Sequence, residues 1–463
     1  MKLTKKVLGV VVSVLLGTSA FAQSVKMPRM ASYQSPFCSF EEDEIVSNTR
    51  ISTVGLYYTD ADNFMSVTRW NTVKPETFFG YVGYVNELNF GFAKQFKDVY
   101  IGTSFVGQFD GLTSTSTNND GDKSSSMQTV NSNEFSAAAL FGIGNLAFKA
   151  NVDWFAANNS NDKDTSGNVT KTDDFQLNIN LENGFITKLD DKPLALSFLL
   201  GLNSNVDKTI DEGADSKTDS SIYTINVGSS ALWTFDTKEK YTQEGLLHLY
   251  TSWDITSASQ ENTGVKTKYL GMYDNVISLV PEYRITFNPN EKLSMKFGAA
   301  LPFNFEFQGA ADYAEVDGNK SYNTARVENV DVEIQPMISL GMIYQVLPEK
   351  VNFNMGIEFA TPTMTWNTVT TKTRTDASSK DVDAKSTTTT YTYNDYSAGV
   401  NFGSGFTVQL AKTVTFDCYW NILSNLFGDN FESDLTEGDV KNFWQTVNKI
   451  FVHNIGFSIS AKF

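Results

Sequence analysis

The feature that most limits how this chain can fold is a strict alternation of apolar and polar residues, repeated in segments of roughly ten residues. The first clear instance runs from Leu88 to Phe96, turns at Lys97 and Asp98, and resumes at Val99. Successive side chains of a β-strand point to opposite faces, so this period of two predicts strands, and the short polar gap predicts a hairpin. Six more hairpins follow the same pattern, with predicted turns at 142–145, 190–193, 236–240, 288–290, 348–350 and 411–412.

The connections between these hairpins have a different composition. They are rich in Thr, Ser, Asn, Asp and Lys, contain few residues that could be buried, and are expected to be solvated loops. The clearest examples are 110–132, 158–173, 206–219 and 372–395, and the connections at 308–329 and 424–449 are candidates to fold inward. Short turns and long connections alternate strictly, which is typical of a closed barrel with tight turns at one rim. A Greek-key sandwich would mix the two lengths.

The strand count in this interpretation is even. The hairpins supply fourteen strands, the segment ending at Phe463 a fifteenth, and Ile51 to Thr59 a sixteenth. The stretch 76–87 is expected to extend the strand that begins the Leu88 hairpin upstream. The prediction is therefore about 16 strands, in a range of about 14–18, because boundaries are the least certain part of such a pattern.

The outward positions of these strands are uniformly apolar. One strand carries Leu293, Met295, Phe297, Ala299, Leu301, Phe303 and Phe305 on a single face. A membrane interior offers no hydrogen-bond partners, so the backbone polar groups must pair within the sheet and the sheet must close. The predicted fold class is all-β: a transmembrane antiparallel up-and-down β-barrel.

The N-terminus has the pattern of an export signal. Three lysines precede an apolar run at 7–16, and Ala20-Phe21-Ala22 precedes Gln23 as a cleavage site. These features predict a signal peptide over 1–22. Residues 23–50 would then be an N-terminal periplasmic segment or a small plug, and 51–463 the transmembrane barrel. The two Cys and two His of the chain argue against a disulfide scaffold, a metal site or a cofactor, and a net charge of −17 argues against nucleic acid as a partner.

Signal peptide, alternating strands and an aromatic last residue together resemble the outer-membrane β-barrels of diderm bacteria. The last strand matches the terminal pattern of that class at Ile455, Phe457, Ile459, Ala461 and Phe463. The resemblance implies a location in the cell outer membrane, periplasmic short turns, extracellular loops, and recognition of these five residues by the barrel assembly machinery. FadL-like fatty-acid transport barrels have similar length and an N-terminal plug, but their Asn-Pro-Ala motif is absent here and their strand number is smaller.

Strand parity also predicts which charged residues face the lumen. The predicted pore-lining residues are Lys149, Asp153, Glu182, Asp254, Glu282, Arg284, Lys296, Glu306, Asp331, Glu333, Glu358 and Asp417. Acids outnumber bases among them, and a lumen of one charge sign attracts the opposite ion. A pair between Glu282 and Lys296 across their hairpin is expected.

The predicted function is a porin-like channel for passive diffusion of ions and small hydrophilic solutes, mildly cation-preferring, since about sixteen strands leave an aqueous interior. The alternatives are a FadL-like transporter of hydrophobic compounds with an N-terminal plug, and a surface adhesin or structural barrel. The two histidines lie in no recognisable catalytic arrangement, so no enzyme activity is expected. Expected partners are the outer-membrane lipid bilayer, the assembly machinery and small solutes, with the chain as a monomer or homotrimer.

Overall fold

The computed structural model describes residues 64–73, 78–85, 87–115, 127–161, 170–211, 216–262, 265–316, 319–348, 350–394, 399–423 and 455–463. A single antiparallel sheet contains all the described strands. One short helix, α1 (Trp70–Val73), precedes them. The strands are β1 (Phe79–Val85), β2 (Glu87–Phe96), β3 (Val99–Thr115), β4 (Met127–Ile143), β5 (Leu146–Asn161), β6 (Thr170–Leu189), β7 (Lys192–Asp211), β8 (Ser216–Lys238), β9 (Tyr241–Asn262), β10 (Val265–Asn290), β11 (Leu293–Ala300), β12 (Phe303–Gly309), β13 (Tyr313–Val316), β14 (Asn319–Tyr322), β15 (Ala325–Ile334), β16 (Met337–Leu347), β17 (Val351–Ala360), β18 (Thr363–Thr373), β19 (Ala384–Asn394), β20 (Gly399–Ala411), β21 (Val414–Leu423) and β22 (Ile455–Lys462).

The sheet closes on itself. The last strand, β22, pairs with β1 from Phe79↔Lys462 to Tyr84↔Phe457, and Phe78 and Phe463 exchange two backbone hydrogen bonds of 3.0 and 2.8 Å. Several segments join end to end into one wall strand each: β11–β13, β14–β16, β17–β18 and β19–β20. Counted this way, the wall has sixteen strands. The closed antiparallel barrel confirms the predicted fold class.

The first wall strand differs from the predicted one. The stretch expected to extend the next strand forms a strand of its own, β1, which pairs back on β2 from Phe79↔Ala93 to Val85↔Glu87. A single residue joins these strands, so one connection at the long-loop rim is a tight turn. The predicted strand Ile51–Thr59 and the predicted plug or tail at 23–50 lie outside the described residues.

Much of the polar sequence expected to be loop is paired strand. β7 runs to Asp211 and β8 begins at Ser216, within the stretch 206–219, while β19 takes up half of 372–395. The expectation that the connection 308–329 folds inward is wrong, because it continues the wall through β13, which pairs with β10, and β14, which pairs with β13. The other candidate, 424–449, lies outside the described residues. The composition of these stretches did not predict the strand extensions, because a strand that has water on both faces needs no alternation of apolar and polar residues. Strands of 20 to 26 residues far exceed the 9–11 needed to cross a bilayer.

A row of four prolines crosses four adjacent wall strands, at Pro281, Pro302, Pro336 and Pro362. The backbone N–H groups of Leu301, Gln335 and Thr361 donate to the carbonyls of Pro281, Pro302 and Pro336 at 3.1, 3.4 and 3.0 Å. Proline has no N–H to return, so the ladder is interrupted at each step. This explains why three of these wall strands are divided into segments at the prolines.

The two faces of the wall differ sharply. Outward positions carry exposed large apolar side chains, among them Phe148, Leu181, Phe198, Leu249 and Ile338. Inward positions of the same strands carry Ser, Asn and charged residues. Such an apolar outer surface matches lipid rather than water. No helix among the described residues is long and apolar enough to cross a membrane.

Candidate functional site

The lumen of the barrel is the candidate site, and the predicted charged residues lie on its wall. Lys149, Glu182, Asp254, Glu282, Arg284 and Asp417 are buried, at 2–8% exposure, on faces opposite the exposed apolar residues. Asp153, Lys296, Glu306, Asp331 and Glu333 share the inward parity and are partly buried. Glu358 occupies the register position opposite the buried Ser339. Hydrogen bonds and ion pairs cover these charges and give the inner wall a defined structure.

Toward the short-turn rim, acids and bases of the inner wall are paired. Lys149 Nζ lies 3.1 Å from Glu182 Oε1 on the neighbouring strand, with both side chains almost fully buried. Two residues apart on β10, Arg284 donates to both carboxylate oxygens of Glu282, at 2.8 and 3.0 Å. Bidentate pairing of this kind is strong and directional. These two pairs therefore carry little net charge.

The prediction that Glu282 pairs with Lys296 is wrong. In the register of β10 and β11, Glu282 is opposite Ala300 and Lys296 is opposite Thr286, four pairs further along. Lys296 Nζ instead lies 3.6 Å from Glu244 Oε2 on β9. Cross-strand partners depend on register, which the sequence pattern did not specify at this hairpin.

On the other side of the proline row, the inner wall carries a group of carboxylates that we call the acidic belt: Asp254, Asp274, Glu306, Asp331 and Glu333. It extends over β9, β10, β12 and β15, where Glu306 is directly opposite Asp331. Neutral amides and hydroxyls reach its members. Gln308 donates to Asp274 at 3.2 Å and also to Glu306.

The other two bonds to the acidic belt come from β18. Asn367 donates to Asp331, and Thr365 donates to Glu333 at 3.4 Å. Neutral donors orient a carboxylate without cancelling its charge, so the belt makes this part of the lumen electronegative.

Asp153 and Asp417 lie apart from the belt. Asp153 accepts a 2.7 Å hydrogen bond from the side-chain amide of Asn151 on the same strand. Asp417 accepts one of 2.7 Å from the Thr407 hydroxyl across the last hairpin. They extend the polar inner wall around the barrel without joining a single cluster.

Sequence reasoning missed several inward acids, among them Asp274 and Glu244. Asp274 lies upstream of the clearly alternating segment that starts at Val276, whereas β10 begins at Val265. Glu244 lies beside a predicted turn, although its parity with Leu246 and His248 carried the needed signal. Among the described residues, no group of three or more His, Cys, Asp or Glu is placed to hold a metal ion.

A second component of the lumen comes from the chain before β1. Residues 64–73 lie against the inner wall of β2 to β6 near the short-turn rim. They contribute no strand to the barrel. The interior is therefore bounded by the charged wall and by this internal segment.

No family model and no curated protein sequence matches the chain. Solved structures do match it. The ferric yersiniabactin uptake receptor FyuA from Yersinia pestis shares 8% identity over 84% of this chain and 80% of its own, with a TM-score of 0.37. The copper transporter OprC shares 8% identity over 84% of this chain and 81% of its own, with a TM-score of 0.37. CdiB from Escherichia coli shares 10% identity over 83% of this chain and 63% of its own, with a TM-score of 0.38. With TM-scores of 0.37 and 0.38, these structures support no inference about the substrate or role of this chain.

Proposed function

We propose that this protein is an outer-membrane channel for ions and small hydrophilic solutes, with a mild preference for cations and no catalytic activity. The observation that carries the proposal is the acidic belt. Its carboxylates point into the lumen, and the described bonds to Asp274, Asp331 and Glu333 come from neutral donors. A wall of one charge sign raises the local concentration of the opposite ion.

The charge distribution along the lumen supports the same conclusion. The lysine and arginine residues of the predicted set lie on the short-turn side of the proline row, where each is within 4 Å of a carboxylate. Paired charges contribute little to the field a passing ion meets. The belt is left as the main electrostatic feature of the described inner wall, and its sign favours cations.

The test is the reversal potential of the refolded mature protein in a planar bilayer under a KCl gradient. The wild type is expected to give a potential of the cation-selective sign that grows as ionic strength falls, because screening weakens. The variant Asp331→Asn/Glu333→Gln is expected to move it toward zero. Asp381→Asn, in the exposed segment after β18, is the matched control and should leave it unchanged. An anion-selective wild type would overturn the proposal.

A second candidate is transport of apolar compounds, favoured by two observations. The lumen holds an internal segment, and the outer wall carries a groove of about 610 Å³ beside the proline row. Trp233, Phe235, Tyr283 and Leu301 line this groove, with Ala231 and Gly245 at its floor. Displacement of a fluorescent fatty-acid probe by unlabelled fatty acid, lost in Ala231→Leu but not in Asp331→Asn, would favour this function over the channel.

The proposed location and partners follow from the same features. An export signal, an apolar outer wall and a closed barrel fit the outer membrane. The strand that closes the barrel carries Ile455, Phe457, Ile459, Ala461 and Phe463, whose proposed second role is recognition by the assembly machinery.

A further inference from the structure

The internal segment 64–73 is packed into the inner wall rather than lying loosely in the lumen. Phe64, Met65, Val67 and Trp70 are 0–4% exposed, among the most buried side chains of the described chain. A helical turn shapes the segment: the backbone N–H groups of Arg69 and Trp70 donate to the Ser66 carbonyl at 3.2 and 2.9 Å. This turn sends Val67 and Trp70 toward the same wall.

Four inward glycines form the surface that receives the segment, and we call them the glycine seat: Gly91, Gly102, Gly142 and Gly184. A Cβ at Gly91 would lie 2.5 Å from the Phe64 ring, and one at Gly142 would lie 2.8 Å from the Trp70 ring. At Gly184 it would overlap the Val67 carbonyl oxygen. Glycine weakens a strand interior, and its use on four of the strands β2 to β6 is explained by the close approach of the segment.

Aromatic contacts complete the attachment. The Tyr100 hydroxyl, on the inward face of β3, donates to the Phe64 carbonyl at 2.7 Å. Its ring also lies 5.3 Å from that of Trp70, and the Phe64 ring lies 5.2 Å from that of Phe79. Tyr100 is itself fully buried, which places its polar end against the segment rather than toward open lumen. The wall and the segment are thus shaped to each other.

We infer that residues 64–73 are a built-in plug, docked on the glycine seat, which narrows the short-turn end of the conduit and widens it when displaced. The segment adds no strand to the barrel, so undocking leaves the wall ladder intact. It covers the inner wall of six of the sixteen strands, β1 to β6. The conductance part of this inference rests on the proposed channel function, whereas the docking does not.

The test compares seat variants with the wild-type mature protein refolded in lipid. Gly142→Ala/Gly184→Ala places two methyl groups where the segment lies. Tyr100→Phe is milder and removes only the hydroxyl that binds Phe64, so one variant remains informative if the other fails to fold. The matched control is Val227→Ala, an outward change on β8 at a side chain that is 39% exposed and lies outside both the glycine seat and the outer groove. Heat-dependent mobility on gels verifies folding of each barrel.

Two readouts separate docking from conduction. Trypsin should cleave after Arg69 in the seat variants and spare that bond in the wild type and in Val227→Ala. Single-channel conductance should rise about 1.5-fold to twofold in the seat variants, given the share of inner wall that the segment covers. If the seat variants are cleaved but their conductance does not rise, in a barrel that conducts, the inference of a plug is overturned and the proposed channel function stands. If trypsin cleaves the wild type as readily as the variants, docking of the segment is refuted. If no folded barrel conducts, the proposed channel function is overturned, and with it the inference that the plug limits conductance.

Discussion

The buried pair of Lys149 and Glu182 allows a quantitative test of the inner wall. Its atoms are 3.1 Å apart and its side chains are 4% and 2% exposed. At an effective dielectric constant of about 20, two unit charges at this distance attract by about 5 kcal/mol. Desolvation of both groups offsets much of that attraction, so the pair as a whole adds little to the free energy of unfolding. Loss of one partner, however, leaves the other charge buried without this ion pair.

The prediction concerns the free energy of unfolding of Lys149→Met, Glu182→Leu and the double variant. Each single change should cost about 3–5 kcal/mol, because one buried charge is left without its partner. The double variant should fall within about 1 kcal/mol of the wild type, since apolar residues of similar size replace the whole pair. Equilibrium urea unfolding of the refolded barrel, monitored by tryptophan fluorescence, measures all four proteins.

A matched surface pair supplies the control. Lys217 and Asp219 lie 3.0 Å apart but are 38% and 33% exposed. Lys217→Met should cost less than about 1 kcal/mol, because water solvates the carboxylate that remains. The reasoning is refuted if Lys149→Met costs no more than Lys217→Met, or if the double variant loses the sum of the two single losses.

Three further outcomes are expected. Arg374→Ala removes the bonds from the guanidinium to the Asp312 carboxylate and to the carbonyls of Asn323 and Lys380, at 2.8, 3.0 and 3.2 Å. It should speed amide exchange in 374–383 by at least about tenfold, as expected for loss of about 1.4 kcal/mol or more, with global unfolding unchanged. Hydrogen bonds from Thr375 lower the pKa of Asp383, so their contribution to the order of 374–383 is present above the ordinary Asp pKa and is lost as pH falls through the lowered pKa. Asp383→Asn should remove this part of the pH dependence of a spin label's mobility in the segment and leave the part due to Asp376, whose pKa is lowered by bonds from Ser378. Deleting Phe463 removes the two backbone hydrogen bonds that it forms with Phe78. The deletion should lower the yield of folded barrel in vesicles, while the unfolded chain remains soluble in urea.

By itself, the sequence determined that this chain forms a closed membrane barrel and which face most strand residues take. Period-two alternation fixes the face of each residue within an uninterrupted strand, so the parity that assigned Glu182, Arg284 and Asp417 to the lumen follows from local geometry alone. These properties depend on neighbours in the chain, and the sequence therefore carries them directly.

Only the tertiary structure decided what depends on register and on contacts between distant segments. Sequence pattern cannot tell whether Lys296 faces Glu282 or Glu244, because a shift of two residues preserves every inward and outward position. The glycine seat could not be predicted from the sequence because it depends on contacts between distant segments. Gly91, Gly142 and Gly184 look like ordinary weak points of separate strands, and closure of the barrel brings them together beneath residues 64–73, tens of residues away in the chain.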